Sequence, residues 1–322
     1  MSSVEKSLHQ TSNIRSIVRE NVATFIALIV LIIAVSFLSD KFLSSSNLIN
    51  LLRQVSILGI ITLGQTFVLI GGNYDLSVGS LLSLSSVLVI GLQPELGIFG
   101  AVAVTLIIGL GIGILNGVLV GYAKANSFIV TLGMLSVLQA AALIYTGGMT
   151  LKANIPGFHS IGGISFGVMP ILVIYFLVAI ILARYLLDRS TFGRKVFLVG
   201  SNQEAAHIAG IAVGRVISWT FIISALSAAL GGILMSSRVM NASPTAGMGM
   251  ELDAISAAVL GGTSIYGGEG RALNAVIGVM ILGVLTNAMT LLGIPYQYQL
   301  VVKGVILIAV VGFESYRRVS KQ

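Results

Sequence analysis

Runs of about twenty apolar residues recur along almost the whole chain, which is the length a helix needs to cross a hydrocarbon core of roughly 30 Å. They fall near residues 22–39, 55–71, 76–92, 97–121, 127–146, 166–187, 216–235, 252–266, 272–293 and 298–313. Of the 322 residues, 56% are hydrophobic and only 9% charged, with a mean hydropathy of +1.02. Soluble domains carry nearer a quarter charged residues, so globular packing has no place for this much apolar surface. The expected fold class is therefore an all-α polytopic membrane protein of about ten transmembrane helices. Span 252–266 is short and contains Gly261-Gly262, the pattern of a broken or re-entrant helix. If it does not cross, the C-terminus moves to the opposite side. The first span is longer than a signal-peptide core and has no small-residue cleavage site before Asp40-Lys41, so it is kept as a span.

Charge orients the chain. With both termini inside, the inner segments hold Lys6, Arg15, Arg19, Lys124, Arg184, Arg189, Arg194, Lys195, Arg215, Arg271, Arg317, Arg318 and Lys321, thirteen of the eighteen basic residues. Lys41, Arg53, Lys152 and Arg238 fall outside, and Lys303 lies in the last span. This bias follows the positive-inside rule and puts both termini in the cytoplasm. It also accounts for the net charge of +7 without a nucleic-acid partner. The organisation expected is a cytoplasmic tail over 1–21, a transmembrane domain over 22–313 with a cytoplasmic loop at 188–215, and a second tail over 314–322. There is no Cys, and the three His (His9, His159, His207) are too scattered to form a metal site by spacing.

The loop at 188–215 contains a polar segment with its own stop signals. Ser201 and Glu204 have capping-box spacing, and Gly210 falls where a left-handed residue would end the helix. A rod of about two turns, roughly 12 Å long, is expected. Ala205, Ala206 and Ala209 give it a small-residue face suited to a groove on another protein. Elsewhere Gly109, Gly113, Gly117 and Gly121 recur every fourth residue, clearing one face of the fourth span for close helix packing.

The break Gly71-Gly72-Asn73-Tyr74-Asp75-Leu76-Ser77-Val78-Gly79-Ser80 has two readings. Asp75 caps the next helix, favoured by its dipole, or it belongs to a gate beside a transport path. Glu251 and Asp253 likewise open a helix, although paired carboxylates also suit a cation or proton site. No Asp or Glu lies deep inside any span, which weighs against a proton-coupled carrier. Lys303 lies about 7 Å into the last span, where it snorkels past Tyr298 and Tyr296 or serves an aqueous pathway. Leu69-Ile70-Gly71-Gly72-Asn73 is echoed by Val259-Leu260-Gly261-Gly262-Thr263, and paired Gly-interrupted segments mark the transport path in repeat-built transporters. No Gly-x-x-x-x-Gly-Lys-Ser/Thr phosphate loop occurs, so any ATP is bound by another subunit.

Three blocks of sequence resemble the permease subunits of bacterial ATP-binding-cassette (ABC) sugar importers of the ribose, xylose and arabinose type. They are Gly72 to Ser80; Glu204-Ala205-Ala206 with Gly210; and Pro244-Thr245-Ala246-Gly247 running through Glu251-Leu252-Asp253-Ala254-Ile255 to Gly261-Gly262-Thr263-Ser264. The chain departs from the family pattern at Asn73-Tyr74, before Asp75. The resemblance implies an inner-membrane permease that binds no cofactor itself, ATP and Mg being held by a cytoplasmic ATPase, often a tandem-cassette chain. It further implies a periplasmic or lipid-anchored sugar-binding protein, and a second copy of this chain or a related permease. By the same resemblance Ser201, Glu204, Ala205, Ala206 and Gly210 couple to the ATPase. Asp75, Ser77, Gly79, Pro244, Thr245 and Glu251 gate or line the pathway. The expected cargo is a ribose-like pentose or hexose; the alternatives are a cyclitol, a sugar-like signal molecule or a nucleoside, or an ion-coupled secondary carrier acting alone.

Overall fold

A computed structural model of the chain describes residues 24–319. The tail over 1–21, with Lys6, Arg15 and Arg19, and Lys321 at the other end lie outside the described residues. The helices run in the order α1 (Thr24–Leu38), α2 (Ser45–Ile70), α3 (Val78–Gly91), α4 (Gln93–Gly121), α5 (Ser127–Thr146) and the single turn α6 (His159–Gly162). There follow α7 (Ile171–Arg184), extended by one π turn through Arg189, and then α8 (Thr191–Ser201) and α9 (Gln203–Ile208). The last four are α10 (Val213–Val239), α11 (Met250–Leu260), α12 (Ala272–Leu291) and α13 (Tyr296–Val319). Seven of them are long and apolar enough to cross a membrane: α2, α4, α5, α7 with its π turn, α10, α12 and α13.

The described residues are mostly helical, as an all-α membrane protein requires, with little strand. Two two-stranded ribbons, Leu151–Lys152 with Asn241–Ala242 and Ser165–Phe166 with Met169–Pro170, close the loops at the end of the bundle away from α9. Backbone donors and acceptors there are satisfied by pairing, because the turns around them cannot continue a helix.

Packing sorts the helices into layers. In α2 and α10 the apolar windows are 83% and 67% buried, against 22% for α4, 17% for α5 and 6% for α13. The first pair is the axis of the bundle, while the others turn most of their apolar surface outward, as a lipid-facing helix must. Lys303 on α13 neither snorkels nor stands free: its Nζ pairs with Asp253 Oδ2 of α11 at 2.6 Å, with both side chains less than one-fifth exposed. A partly desolvated ammonium so placed is more stable beside a carboxylate than alone.

The glycine face of α4 packs as its spacing predicts, and α10 is the partner. A methyl on Gly113 would lie 2.8 Å from Ile222 Cα, one on Gly117 2.6 Å from Ser218 Cα, and one on Gly109 2.7 Å from Ala229 Cβ. Ser218 Oγ also donates to Gly117 O at 2.8 Å, which ties the two helices by a polar contact. Gly117→Val is expected to cost about 1–3 kcal/mol through overpacking, read as a lower thermal midpoint in detergent. Gly111→Ala, where nothing lies within 4 Å, is the neutral control.

Two helices packed within the bundle, α3 and α11, are too short to cross alone. α3, with 14 residues, is about 21 Å long, and α11, with 11, about 17 Å. α3 is reached by a short extended segment and α11 by a series of turns, and the stretch 252–266 is helical only as far as Leu260. Irregular backbone of this sort is tolerated only where protein surrounds it. The loop after α11 returns to the α9 end of the bundle, where Gly268 N donates to Ile70 O at 2.8 Å, and Glu314 near the end of α13 accepts from Ser264 Oγ at 2.7 Å in that loop.

Candidate functional site: helix breaks and the α8–α9 corner

α9 has six residues, about 9 Å, some three-quarters of the expected length. Its cap is one residue later than the capping-box spacing predicts. Asn202 is extended and its Oδ1 accepts from Ala205 N at 2.9 Å, whereas Ser201 is still helical and its Oγ donates back to Phe197 O at 2.8 Å. Ser201 therefore closes α8 and does not open α9. The stop is as read: Gly210 has φ +78, with Gly210 N–H on His207 O and Ile211 N–H on Ala206 O, a Schellman motif.

The small-residue face is also revised. Ala206 is only 4% exposed and packs into this chain's own core, so it is an anchor. The outward surface includes Glu204, Ala205 and Ile208, the last 80% exposed, and Ala209 just past the helix end. Ile208 was missed by sequence reasoning, although a bulky apolar residue two before the terminating glycine of a polar helix was a signal for it.

α8 carries this corner into the bundle by backbone contact. A methyl on Gly200 would overlap the carbonyl oxygen of Ile70 and come 2.7 Å from Gly268 N; one on Gly267 would lie 2.7 Å from both Gly200 O and Gly72 Cα. Three breaks thus meet without side chains between them: the end of α2, the end of α8, and the loop after α11. The echoed pairs Gly71-Gly72 and Gly261-Gly262 end their helices identically. Gly72 N–H bonds Leu69 O and Asn73 N–H bonds Val68 O, while Gly262 N–H bonds Val259 O and Thr263 N–H bonds Ala258 O. Gly72 (φ +74) and Gly262 (φ +86) occupy the left-handed conformation this motif demands.

Asp75 is 1% exposed and forms a hub. Its Oδ1 accepts from Ser77 N at 3.0 Å and Ser77 Oγ at 2.6 Å, and its Oδ2 from Ser224 Oγ of α10 at 2.8 Å. Asn116 Nδ2 of α4 donates to Ser77 Oγ at 3.1 Å. The Gln65 amide of α2, oriented with its nitrogen toward Asp75 O, makes two bonds of 3.2 Å to the Asp75 backbone. Asp75, through its carboxylate, its backbone and its partner Ser77, thus ties α2, α4 and α10 to the start of α3. Ser77 is the residue before α3, and its side chain is committed to Asp75, not to capping that helix. Tyr74 spans the breaks: its OH donates to Ile265 O at 2.7 Å, and its N–H to Ser127 Oγ at 3.2 Å.

Deeper in the bundle the starts of α3 and α11 face each other. Gly79 lies against the Glu251 carboxylate and Gly247 O, and a methyl there would overlap both. Gly247 N donates to Ser83 Oγ at 2.8 Å, and Glu251 Oε1 accepts from Gly249 N at 3.2 Å. Pro244 is buried, its carbonyl accepting from Gln139 Nε2 at 2.9 Å, and Thr245 is exposed on the turn leading into α11. The structure therefore brings Asp75, Ser77, Gly79 and Glu251 into one internal layer, with Pro244 and Thr245 above it, and leaves Ser201, Glu204, Ala205, Ala206 and Gly210 at the α9 end. Sequence reasoning missed Gly200, Gly267, Ser224 and Asn116; the last stood out as the one amide on the Gly109–Gly121 helix face.

Among the described residues, seven helices long and apolar enough to cross a membrane, two of them the buried axial pair, with two half-length helices meeting inside, define an integral membrane protein of the transport-permease class. The chain belongs to the family described as the permease component of branched-chain amino acid transport systems, which matches residues 47–311. It is 42% identical to the ribose import permease of Bacillus subtilis (strain 168) over 302 residues, covering 91% of this chain and 92% of the relative. It is 38% identical to the ribose import permease of Haemophilus influenzae over 305 residues (92% and 94%), and 35% identical to the L-arabinose ABC transporter permease of Azospirillum brasilense over 295 residues (90% and 86%). No solved structure matches.

Proposed function

We propose that this chain is the permease subunit of an ABC importer that carries a monosaccharide, a ribose-like pentose or hexose, across the bacterial inner membrane. The observation that carries the reading is 42% identity to a ribose import permease over nearly the full length of both chains. ATP is hydrolysed on a separate cytoplasmic ATPase, solute is delivered by a periplasmic or lipid-anchored binding protein, and two copies of the permease enclose the path. The α9 end faces the cytoplasm. Supporting this, Lys124, Arg184, Arg189, Arg194, Lys195, Arg215 and Arg271 lie at that end, against Lys41, Arg53, Lys152 and Arg238 at the other. Counting α1, α3 and α11 as further passes, ten passes put both termini in the cytoplasm.

In this reading α9 seats Ala205 and Ile208 in a cleft on the ATPase. Closure of the ATP-bound dimer pushes α9, and the stiff Asn202 corner passes the displacement to Gly200. There is no flexible side chain at Gly200 to absorb it, so the ends of α2 and α11 move with α8. The contact between Gly79, Gly247 and Glu251 is then the internal gate that separates.

The test is uptake of a panel of labelled sugars into sealed vesicles, with and without the ATPase and binding protein, on ATP and on an ion gradient alone. Uptake of a pentose or hexose only with all components and ATP is expected. Uptake of a cyclitol or nucleoside instead would reassign the cargo, and uptake by the lone chain on a gradient would overturn the importer.

A further inference from the structure

Between the α4–α5 turn, α9 and the start of α10 lies a cavity of about 910 Å³ that opens beside the outward face of α9. That is the size of a pocket that holds a sizeable ligand or several side chains, roughly 300–1,000 Å³. Lys124, Arg215 and His207 line it together with one carboxylate, Glu204, and its apolar wall includes Phe128 and Tyr122. All four charged or titratable side chains are exposed, and among the described residues none is in an ion pair or hydrogen bond through its side chain. Two permanent cations thus face one open volume against a single anion.

The position of Lys124 is fixed by the backbone. It is a non-glycine residue in the left-handed region (φ +54), held there by Ala123 N–H on Val118 O and Ala125 N–H on Leu119 O at either side. Lysine gains nothing from that conformation, in which its Cβ crowds the following carbonyl. Arg215, in the first turn of α10, comes from the opposite wall. Cations near a helix N-terminus are disfavoured by its dipole, so Arg215 sits where the fold alone gives it no reward.

We propose that this cavity is a second docking point for the ATPase subunit and receives an acidic segment of it, a loop bearing Asp or Glu that reaches Lys124 and Arg215. The inference rests on the coupling reading of α9, since it is the continuity of the cavity with that face that selects the ATPase over other acidic partners. α9 alone presents about two turns of helix, too little to fix the angle at which a partner sits. A charged contact in the adjoining cavity would set that angle and steer association. Glu204 on the α9 wall directs the incoming carboxylate toward the two cations by repelling it from its own side.

The experiment uses the full-length permease and its ATPase, with Lys124→Glu, Arg215→Glu and the double variant, and Ala205→Arg as the separate probe of α9. Affinity is measured from low salt to 1 M, and a zero-length carbodiimide reaction is run on the wild-type complex. The double variant is expected to bind the ATPase at least about tenfold more weakly at low salt. That difference should shrink toward 1 M salt, where the screening length falls to about 3 Å. The carbodiimide should join Lys124 Nζ to an ATPase Asp or Glu as an amide, with loss of water, at a position mass spectrometry can read. Unchanged affinity at every salt concentration, together with no crosslink at Lys124, would overturn the proposal. An effect confined to vesicles containing anionic lipid, absent in purely zwitterionic ones, would assign the cations to a phosphate headgroup and overturn it equally. Lys124→Gln and Arg215→Gln, which add no charge at exposed positions, repeat the measurement should a reversed charge impair insertion. If Ala205→Arg leaves binding intact while the cation variants weaken it, the α9 contact fails and the acidic contact stands; the reverse result leaves α9 and removes the cavity.

Discussion

Gly200→Ala is expected to uncouple the transporter: ATP hydrolysis by the assembled complex continues, while solute carried per ATP falls at least about tenfold. The physical reason is local and severe. The added methyl would overlap Ile70 O and crowd Gly268 N, whose mutual hydrogen bond at 2.8 Å closes the junction between α2 and the loop after α11. Relief requires α8 to withdraw by an ångström or more, because neither neighbour is a side chain that can rotate aside. Overpacking of this kind costs about 1–3 kcal/mol, and 1.4 kcal/mol is already tenfold in any equilibrium the junction controls. The outward surface of α9 is untouched, so the ATPase should still assemble. Ser201→Ala, one residue further, removes only an exposed bond to Phe197 O and should transport normally. Uptake and hydrolysis measured together on reconstituted Gly200→Ala decide the matter: full uptake would mean the glycine junction transmits nothing.

Asp75→Ala should be the most destabilising single change in the internal layer. It strips the acceptor from Ser77 N–H, Ser77 Oγ and Ser224 Oγ, all in residues no more than 1% exposed. A buried donor left without a partner costs about 1–3 kcal/mol. The two hydroxyls can turn to nearby carbonyls, so a net loss of about 2–5 kcal/mol is expected, seen as a fall of roughly 5–15 °C in the thermal midpoint. Asp75→Asn keeps the shape and one acceptor oxygen and should lose less than half as much. This pair of variants also separates the two sequence readings of Asp75. If Asp75→Asn keeps the midpoint but abolishes uptake, the charge serves the gate; if uptake follows the midpoint in both variants, the residue is a structural tie.

Much of the architecture was legible without coordinates because lipid simplifies the problem. A crossing must be long, apolar and internally hydrogen-bonded, so positions such as 97–121 read directly, and Gly97 (φ +66) is where the straight part of α4 indeed begins. The glycine face of α4 was equally plain, since a four-residue repeat of the smallest residue has one use in a bundle. α9 was found but misregistered. Ser201 and Asn202 are both competent caps in sequence, and only the run of α8 through Ser201 determines which of them meets a free N–H. Ala206 was assigned outward on composition alone, yet a six-residue helix needs an anchor, and the fold spends the middle alanine on it.

The sequence by itself determined a helical membrane permease, its family, its helix breaks and the glycines that make them, because each of these follows from local chemistry acting over a few turns. Tertiary structure decided what the breaks do. That Gly72, Gly200 and Gly267 meet, that Asp75 reaches Ser224 149 residues away, and that Lys303 answers Asp253 at a separation of 50, are facts of packing between distant segments. No periodicity encodes such contacts: glycine backbones approach, and buried charges find partners, only where the rest of the bundle closes around them.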